Sequence, residues 1–422
     1  MTVRRVVVTG LGAITPVGND VAATWSALLN GRSGGAPITK FDAEKFAVRF
    51  ACEVKDFDVS LYMDRKEAKR ADLYTQYAMA ASLQAMRDAG FGDAAGSTTG
   101  FDPEEFGVVI GSGIGGLRTF EEQHATYLGH GPRRISPFFV PMFISDIAAG
   151  VVSMRFGLKG PNFATVSACA TSAHAIGVAA RAIQHGEADL MLAGGSEAAV
   201  TPMAIGGFAS MGALSARNDE PATASRPFDA TRDGFVLGEG AGVIVLEELE
   251  HARARGARIY AELAGYAATG DAYHLTGQPD AHEGLQRAMR RALRDARIAP
   301  DEVDYVNAHG TSTPLNDPNE AKAIRVVFGD HADRLSVSST KSATGHMLGA
   351  AGVVETIACA KAIAAGCIPP TINHTTPDPE ITLDVTPNTP RERAVRVAVS
   401  NSSGFGGHNA SVVLRSIEAG RA

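Results

Sequence analysis

Cysteine is scarce in this chain: 422 residues contain four, Cys52, Cys169, Cys359 and Cys367. They form neither a Cys-x-x-Cys pair nor a Cys/His spacing of the kind that binds zinc. Few, scattered cysteines are typical of a reducing compartment, where each remains a free thiol. The sequence therefore argues against a disulfide framework or a zinc site, and it predicts a cytoplasmic protein.

Long apolar runs and an excess of positive charge are also lacking. The longest run without a charged residue, 160–180, includes Pro161, Asn162 and Ser167 and is too polar to span a bilayer. The apolar stretch at 6–8 is too short for a secretory signal. Lysine and arginine total 39 against 46 acidic residues, a net charge of −7. We expect no membrane segment and no general nucleic-acid binding, although a local basic patch is compatible with this charge.

Apolar residues make up 45% of the chain, enough for one large α/β unit or two domains. Short β-branched runs alternate with alanine-rich helical patterns, which is typical of α/β architecture with strands buried on both faces. The predicted strands are Arg5–Thr9, Phe106–Ile110, Leu190–Ala193, Gly242–Glu247, Ala261–Ala267, Tyr305–Ala308 and Val395–Val399. The predicted helices are Asp72–Asp88, His174–His185, Glu283–Ala296 and Ala351–Ala364. The second half repeats the layout of the first, so we predict two halves, 1–255 and 256–422, packed as one body.

Two glycine-containing segments match the sequences of known functional motifs, but the predicted secondary structure around them does not fit those motifs. Residues 111–116 read GxGxxG after a strand, yet no second strand ending in an acidic residue follows about 20 positions later, as a dinucleotide site requires. Residues 31–35 read GxSxG, but they close a helical stretch instead of linking a strand to a helix. The first motif is interpreted as a tight turn beside a pocket, and the second as a loop.

Cys169 lies in the small-residue segment 166–172, immediately before a helix-forming run. A thiol at a helix N-terminus is exposed to the positive end of the helix dipole and to unpaired N–H groups, and both lower its pKa. The alternative is a small buried apolar side chain, the usual role of a cysteine. Position alone leaves both interpretations open.

Two histidines and a glycine-rich segment occur where α/β folds place ligand-binding groups. His309 follows a predicted strand, and His346 precedes a predicted helix. A single histidine is more often structural, but two in such turns together with a candidate thiolate favour a Cys-His-His site. The segment 400–409 is interpreted either as an ordinary turn or as a loop that binds an oxyanion or gates the site.

Taken together and in this order, these segments resemble the β-ketoacyl-acyl-carrier-protein synthases over essentially the whole chain. The matching stretches begin at 6–20, continue through 226–229 and 233–242, and end at 404–409. The resemblance implies the thiolase fold, a duplicated α-β-α-β-α five-layer sandwich that forms homodimers. It also implies an acyltransferase that condenses malonyl-carrier protein with an acyl chain on the enzyme, in fatty-acid elongation.

The resemblance assigns roles to individual positions. Cys169 matches the nucleophile, and His309 and His346 match the histidine pair. Phe405 matches a gating phenylalanine whose N–H, with that of Cys169, would form the oxyanion hole. Ile114 matches a residue at the base of the acyl pocket.

Further positions match a supporting framework. Lys341 and Glu355 match a charged pair that braces the site, and Asp317 matches an acidic residue of the same framework. No organic cofactor is implied. A structural monovalent cation of some relatives would lie at Asn307, Glu355, Ser400 and Asn409. Docking of acyl- and malonyl-loaded acyl carrier protein, which is acidic, would use the basic residues Arg65, Lys66, Lys69, Arg70, Arg133 and Arg134; a merely solvated charged face is the alternative.

Two departures from the family pattern concern the site. Ser403 stands where a phenylalanine is usual, so we expect a looser gate loop and an altered acyl preference. Ala173 and His174 replace the commoner residues after the nucleophile. The catalytic ketosynthase of a type II polyketide or specialised lipid pathway stays open as an alternative. A non-catalytic chain-length factor is disfavoured by Cys169, because such subunits lack the nucleophile.

Overall fold

The computed structural model describes residues 4–93 and 100–417. Its strands are β1 (Val6–Ile14), β2 (Ala36–Pro37), β3 (Phe50–Ala51), β4 (Phe106–Gly111), β5 (Asn162–Phe163), β6 (Leu190–Glu197), β7 (Gly240–Glu248), β8 (Ala261–Gly270), β9 (Tyr305–Asn307), β10 (Ser336–Ser338), β11 (Cys367–Ile368), β12 (Arg391–Glu392), β13 (Val397–Gly404) and β14 (His408–Arg415). Its α-helices are α1 (Val21–Leu29), α2 (Arg65–Ala68), α3 (Leu73–Asp88), α4 (Leu117–His130), α5 (Phe139–Phe143), α6 (Ile147–Phe156), α7 (Thr171–His185), α8 (Pro202–Ser210), α9 (Leu249–Ala254), α10 (Glu283–Ala296), α11 (Asn316–Phe328), α12 (Lys341–Thr344) and α13 (Ala351–Ala365).

Ten strands form one mixed sheet in the order β10-β9-β13-β14-β8-β1-β7-β6-β4-β5. Read outward from the centre, each half has the same pattern: two antiparallel pairings and then two parallel ones. The halves join where β1 pairs with β8, through Val7 with Glu262 and Val8 with Ala261. This symmetric arrangement is the duplication that the sequence predicts.

Helices cover both faces of the sheet and lie between its halves. The alanine-rich helices α7 and α13 contact each other and pack between the two halves of the sheet in one core cluster. Helices α3 and α6 cover the outer face of the first half, and α10 and α11 cover that of the second. Because strands buried on both faces need apolar side chains on both sides, β1 and β6 are buried at every position. The five-layer α/β prediction is confirmed.

The predicted strands and helices are all present, with ends shifted by a few residues. The sequence prediction missed β14, which pairs with both β13 and β8, and the short strand β10. It therefore described 400–409 as a turn after the last strand, whereas β13 and β14 form a hairpin with the turn between Gly404 and His408.

One helical stretch, Leu348–Ala365, has the length and mean hydropathy of a membrane span, and 78% of it is buried inside the protein. It includes α13, which packs against α7 and the central strands. Its apolar composition is therefore explained by its place in the middle layer of the core.

Candidate active site

A cavity of about 340 Å³ opens between the two halves of the chain. Its walls bring together residues far apart in the sequence: Cys169, His309, His346, Phe405 and Ile114. All five come from segments that follow a strand or precede a helix, as expected for ligand-binding positions in α/β folds. The structure thus assembles the predicted nucleophile, histidine pair, gating residue and pocket residue in one place.

Cys169 lies in a single helical turn, Ala168–Ala170, that leads directly into α7. Ala168 adopts a left-handed conformation with φ 49°, a strained geometry that often marks functional turns. Burial raises the pKa of the Cys169 thiol to about 12, while Lys341 and the backbone N–H groups of Phe405 and Cys169 oppose that rise. The predicted helix position is correct, and backbone N–H groups lower the pKa as expected, but the loss of solvation outweighs them.

The two histidines face each other across the cavity. The rings of His309 and His346 lie 5.4 Å apart between centroids and are nearly perpendicular, at 84°. Burial, followed by the charge of Lys341, holds the pKa of each imidazole well below its ordinary value. Both rings are therefore neutral near pH 7, the form in which one ring nitrogen donates a hydrogen bond. The Nδ1 atom of His346 is buried and has no hydrogen-bond partner among the described residues.

Lys341 and Glu355 form a buried ion pair beneath His309. The ammonium group also donates a hydrogen bond of 2.6 Å to the backbone carbonyl of His309. Burial raises the pKa of the Glu355 carboxyl, and Lys341 counteracts it. This pair fixes the strand-end position of His309, in agreement with the bracing role that the resemblance implies.

Two carboxylates on α11 hold the backbone around His309. Asp317 accepts hydrogen bonds from the N–H groups of Phe228 and Ser312, at 2.8 and 3.2 Å. Glu320 accepts hydrogen bonds from the N–H of His309, at 2.8 Å, and from that of the next residue, Gly310. The sequence analysis identified Asp317 and missed Glu320, although a spacing of three places both on one face of a helix.

The turn at 404–407, here called the gate turn, contacts a second loop. The N–H of Gly406 donates to the carbonyl of Leu275, at 2.7 Å, and the N–H of Asp271 donates to the carbonyl of Gly407, at 2.9 Å. Phe405 is half-buried at the cavity wall. Asp271 also lines the cavity, and no motif in the sequence pointed to it.

The two departures from the family pattern both make hydrogen bonds. Ser403 is buried, and its hydroxyl donates to the side-chain oxygen of Asn409 at 2.9 Å. His174, one helical turn after the nucleophile, hydrogen-bonds through Nδ1 to the hydroxyl of Ser167, at 2.6 Å. Ser403 is therefore anchored to the second strand of the hairpin, and His174 supports the turn that carries Cys169.

The four positions matched to a cation site are only partly brought together. Asn307 and Ser400 are partners on the paired strands β9 and β13. The side-chain oxygens Oδ1 of Asn307 and Oε2 of Glu355 are buried without a hydrogen-bond partner in the described part of the chain. The amide of Asn409 instead bonds to Ser403 and Asp271. The donor chemistry fits a cation at Asn307 and Glu355 but not at Asn409.

The two predicted basic segments lie on one exposed surface. Arg70 follows α2 and stacks on the ring of Phe138, four residues after Arg134, at 4.4 Å from the ring centroid. We call this the basic surface; its exposed members are Arg65, Lys66, Lys69, Arg70, Arg133 and Arg134.

Comparisons with known proteins agree with this site. The family model described as "Beta-ketoacyl synthase, N-terminal domain" matches residues 3–252, and "Beta-ketoacyl synthase, C-terminal domain" matches 260–375. A 3-oxoacyl-[acyl-carrier-protein] synthase 2 from Coxiella burnetii is 53% identical over 414 residues, 98% of this chain and 99% of the relative. One from Synechocystis is 52% identical over 412 residues, 98% of each chain.

Solved structures give the same result. A type II polyketide ketosynthase, solved with its acyl-carrier protein and bound to the hexaketide, superimposes with a TM-score of 0.90 at 37% identity, covering 99% of this chain and 100% of that one. A β-ketoacyl synthase from Burkholderia phymatum gives 0.90 at 37% identity, covering 98% and 100%. The chain belongs to the β-ketoacyl synthase family.

Proposed function

We propose that this protein is an elongating 3-oxoacyl-[acyl-carrier-protein] synthase, an acyltransferase of fatty-acid synthesis. The observation that carries the proposal is the convergence of one thiol, Cys169, with two neutral histidines on a single cavity. Cys169 is the one cysteine among the described residues that line the cavity. A single nucleophile suits decarboxylative condensation, and the relatives named above carry that enzyme's name.

The first half-reaction transfers an acyl group to sulfur. The Cys169 sulfur attacks the thioester carbonyl of acyl-carrier protein, and the carrier thiol leaves. Because the resting thiol is protonated, acyl transfer includes its deprotonation, and the neutral histidine rings that line the same cavity can accept the proton. The N–H groups of Cys169 and Phe405 lie near the sulfur, where both favour the thiolate, and in this mechanism they bind the tetrahedral oxyanion. One such donor typically stabilises the transition state by about 3 kcal/mol.

The second half-reaction uses malonyl-carrier protein. The bond between its carboxylate and α-carbon breaks, carbon dioxide leaves, and the electron pair forms an enolate. Neutral His309 and His346 donate hydrogen bonds to the thioester oxygen, where the negative charge develops. The enolate carbon attacks the acyl group on Cys169 and releases a product two carbons longer.

Two protein partners follow from exposed surfaces. The basic surface suits an acidic carrier protein, and the polyketide relative was solved in complex with its own carrier protein.

A second copy of the chain would cover β5, the exposed edge of the sheet. Large apolar side chains near that edge are exposed, including Met154, at 72%, and Val166, at 60%. These features support a homodimer.

The reaction requires no organic cofactor, because decarboxylation provides its driving force. A monovalent cation held by the free oxygens of Asn307 and Glu355 would brace the site from below; it would take no part in the reaction. Four free thiols support a reducing, cytoplasmic setting.

A second candidate is the ketosynthase of a polyketide or specialised lipid pathway, which shares the chemistry. It is favoured by Ser403, which places a hydroxyl in the cavity wall at a position usually held by phenylalanine. Fatty-acid elongation remains the stronger proposal, since relatives with that role are about 52% identical and the polyketide relative is 37% identical.

The test is to incubate the purified protein with acyl-carrier proteins bearing saturated or poly-β-keto chains, then add malonyl-carrier protein. Intact mass reports acylation of Cys169, and product analysis reports condensation. We expect saturated chains to load and extend, Cys169→Ala to lose both activities, and the matched thiol variant Cys367→Ala to keep both. Undiminished condensation by Cys169→Ala would overturn the mechanism, and exclusive use of poly-β-keto chains would favour the second candidate.

A further inference from the structure

Glu197 is a buried carboxylate at the end of β6 to which the sequence assigned no role. It accepts four hydrogen bonds from two separate segments. The Ser112 hydroxyl donates to Oε1 at 2.9 Å, and the N–H groups of Gly113 and Ile114 donate at 2.9 and 3.2 Å. The N–H of Gly349, far along the chain, donates to Oε2 at 3.0 Å. One side chain thus ties the loop after β4 to the loop before α13.

The glycine-rich turn at 111–116 is shaped around this carboxylate. A Cβ atom added to Gly113 would lie 2.7 Å from Oε2 of Glu197, and one added to Gly349 would lie 2.8 Å from the same atom. Added to Gly349, it would also lie 2.5 Å from the nitrogen of Gly113. The two glycines are required because the carboxylate fills the space that their side chains would take. The motif therefore binds a carboxylate of the protein itself.

The residues fixed by Glu197 form part of the cavity wall beside the nucleophile. Ile114 lines the cavity, as does Leu348, the neighbour of Gly349. Both pack in the apolar cluster that contains Cys169. Leu348 has φ 44°, a strained left-handed conformation for a leucine. The hydrogen bond from the next residue to Glu197 helps to hold that conformation.

The electrostatic position of Glu197 is also unusual. All four of these hydrogen-bond donors are uncharged, so no cation in the described part of the chain neutralises it through a direct contact. Burial raises the pKa of its carboxyl to about 7, against the effect of those hydrogen bonds. Glu197 also lies close to the nucleophile turn: a Cβ atom added to Gly113 would lie 2.7 Å from its Oε2 and 3.5 Å from the carbonyl oxygen of Ala168, the residue before Cys169. From there its charge raises the pKa of the Cys169 thiol. The carboxylate therefore has two effects. Its negative charge disfavours ionisation of the reacting sulfur, and its hydrogen bonds hold the cavity wall in place.

We propose that Glu197 is a positioning residue that sets which acyl chains Cys169 accepts, by fixing Ile114 and Leu348, and that its charge restrains ionisation of the thiol. The first part rests on the proposed acyl-transfer function. The second part concerns the thiol alone and holds for any reaction of Cys169.

Two variants separate the two parts. Glu197→Asp keeps the charge but is too short to reach all four donors, so acyl preference changes while the pH profile of Cys169 alkylation stays close to wild type. Glu197→Gln removes the charge and also places an amide N–H₂, which cannot accept hydrogen bonds, against the N–H donors. We therefore expect both the acyl preference and the pH profile of alkylation to change. The matched control is Glu239→Gln, another fully buried glutamate, which bonds instead to Lys40 and to the N–H of Val54.

The experiment measures acylation of Cys169 with short, medium and long acyl-carrier proteins, and iodoacetamide alkylation across pH without any carrier protein. In Glu197→Gln we expect about tenfold weaker discrimination between chain lengths, the scale of a lost hydrogen bond to a charged group. Alkylation at a given pH should be about threefold faster or more, since one nearby negative charge is removed. Glu239→Gln should change thermal stability alone.

Unchanged acyl preference and alkylation in both Glu197 variants, or the same changes in Glu239→Gln, would overturn the proposal. If the Glu197 variants do not fold, Ser112→Ala removes one donor and should change chain-length discrimination in the same direction, to a smaller extent; no change there would also overturn it. Failure of the acyl-transfer function itself is recognised separately, because the wild-type protein would then accept no acyl chain.

Discussion

The gate turn touches the backbone of the nucleophile through Gly404 and Cys169. A Cβ atom added to Gly404 would lie 2.7 Å from the carbonyl oxygen of Ser167 and 3.0 Å from the nitrogen of Cys169. Because real Cβ atoms do not approach backbone so closely, only glycine allows this contact. The contact sets the distance between the N–H groups of Cys169 and Phe405, which both favour the thiolate of Cys169.

Gly404→Ala is expected to reduce acyl transfer by about 100-fold, the effect of displacing reacting groups by about 1 Å. The fold should persist, because the clash is confined to the gate turn and the nucleophile turn. Intact mass measures the acylation rate, and circular dichroism measures the fold. Gly129→Ala in α4, where an added Cβ meets nothing within 4 Å, is the control and should retain the wild-type rate. A wild-type rate in Gly404→Ala would show that this contact does not position the oxyanion hole.

The pKa of Cys169 gives a second prediction. Since burial raises the pKa of its thiol to about 12, the reactive thiolate is a minor species at neutral pH. Alkylation by iodoacetamide should therefore rise about tenfold for each pH unit between pH 7 and 10. The measurement uses Cys367→Ser, which removes the one half-exposed thiol; Cys52 and Cys359 are buried, and their pKa values are also raised. A plateau already at pH 8 would contradict the raised pKa.

Much of this site could be predicted from the sequence, because its catalytic residues lie at strand ends and helix starts within glycine-rich turns. Cys169, His309 and His346 were identified in this way, and the structure brings them to one cavity. The strands were also predictable, since a strand buried on both faces is a continuous apolar run. The similar layout of strands and helices in the two halves of the sequence corresponds to the symmetric strand order of the sheet.

Other features could not be predicted, because they depend on contacts between distant segments. Glu197 reaches Gly349, 152 positions away, and nothing local in either segment indicates the pairing. The net rise of the Cys169 pKa could not be predicted for a related reason. The helix start is visible in the sequence, but burial of the sulfur in an apolar cluster built from distant segments is not. Ser403 was expected to loosen the gate loop, whereas its hydroxyl is bonded across the hairpin to Asn409.

His309→Ala and His346→Ala should separate the two half-reactions. Each variant loses a donor to the developing enolate, so malonyl decarboxylation should fall by about 100- to 1,000-fold. Acyl transfer should fall less, because the oxyanion there is bound by backbone N–H groups. Carbon dioxide release and the mass of the acyl-enzyme measure the two steps. The control Phe235→Leu removes a ring that packs against His346 at 5.4 Å without removing a donor. Equal loss of both steps in the histidine variants would contradict the assigned roles.

Reversing charge on the basic surface should weaken carrier-protein binding without affecting the chemistry of the thiol. Lys66→Glu combined with Lys69→Glu places two negative charges opposite an acidic partner, so KM for the carrier protein should rise about tenfold at low salt. The effect should shrink as salt is added, because exposed charges are screened over about 8 Å at physiological ionic strength. Steady-state kinetics with acyl-carrier protein measures KM, and iodoacetamide alkylation checks that Cys169 reacts as in the wild type. Arg291→Glu, exposed on α10 in the other half of the chain, is the matched control. If it raises KM equally, net charge and not this surface governs docking.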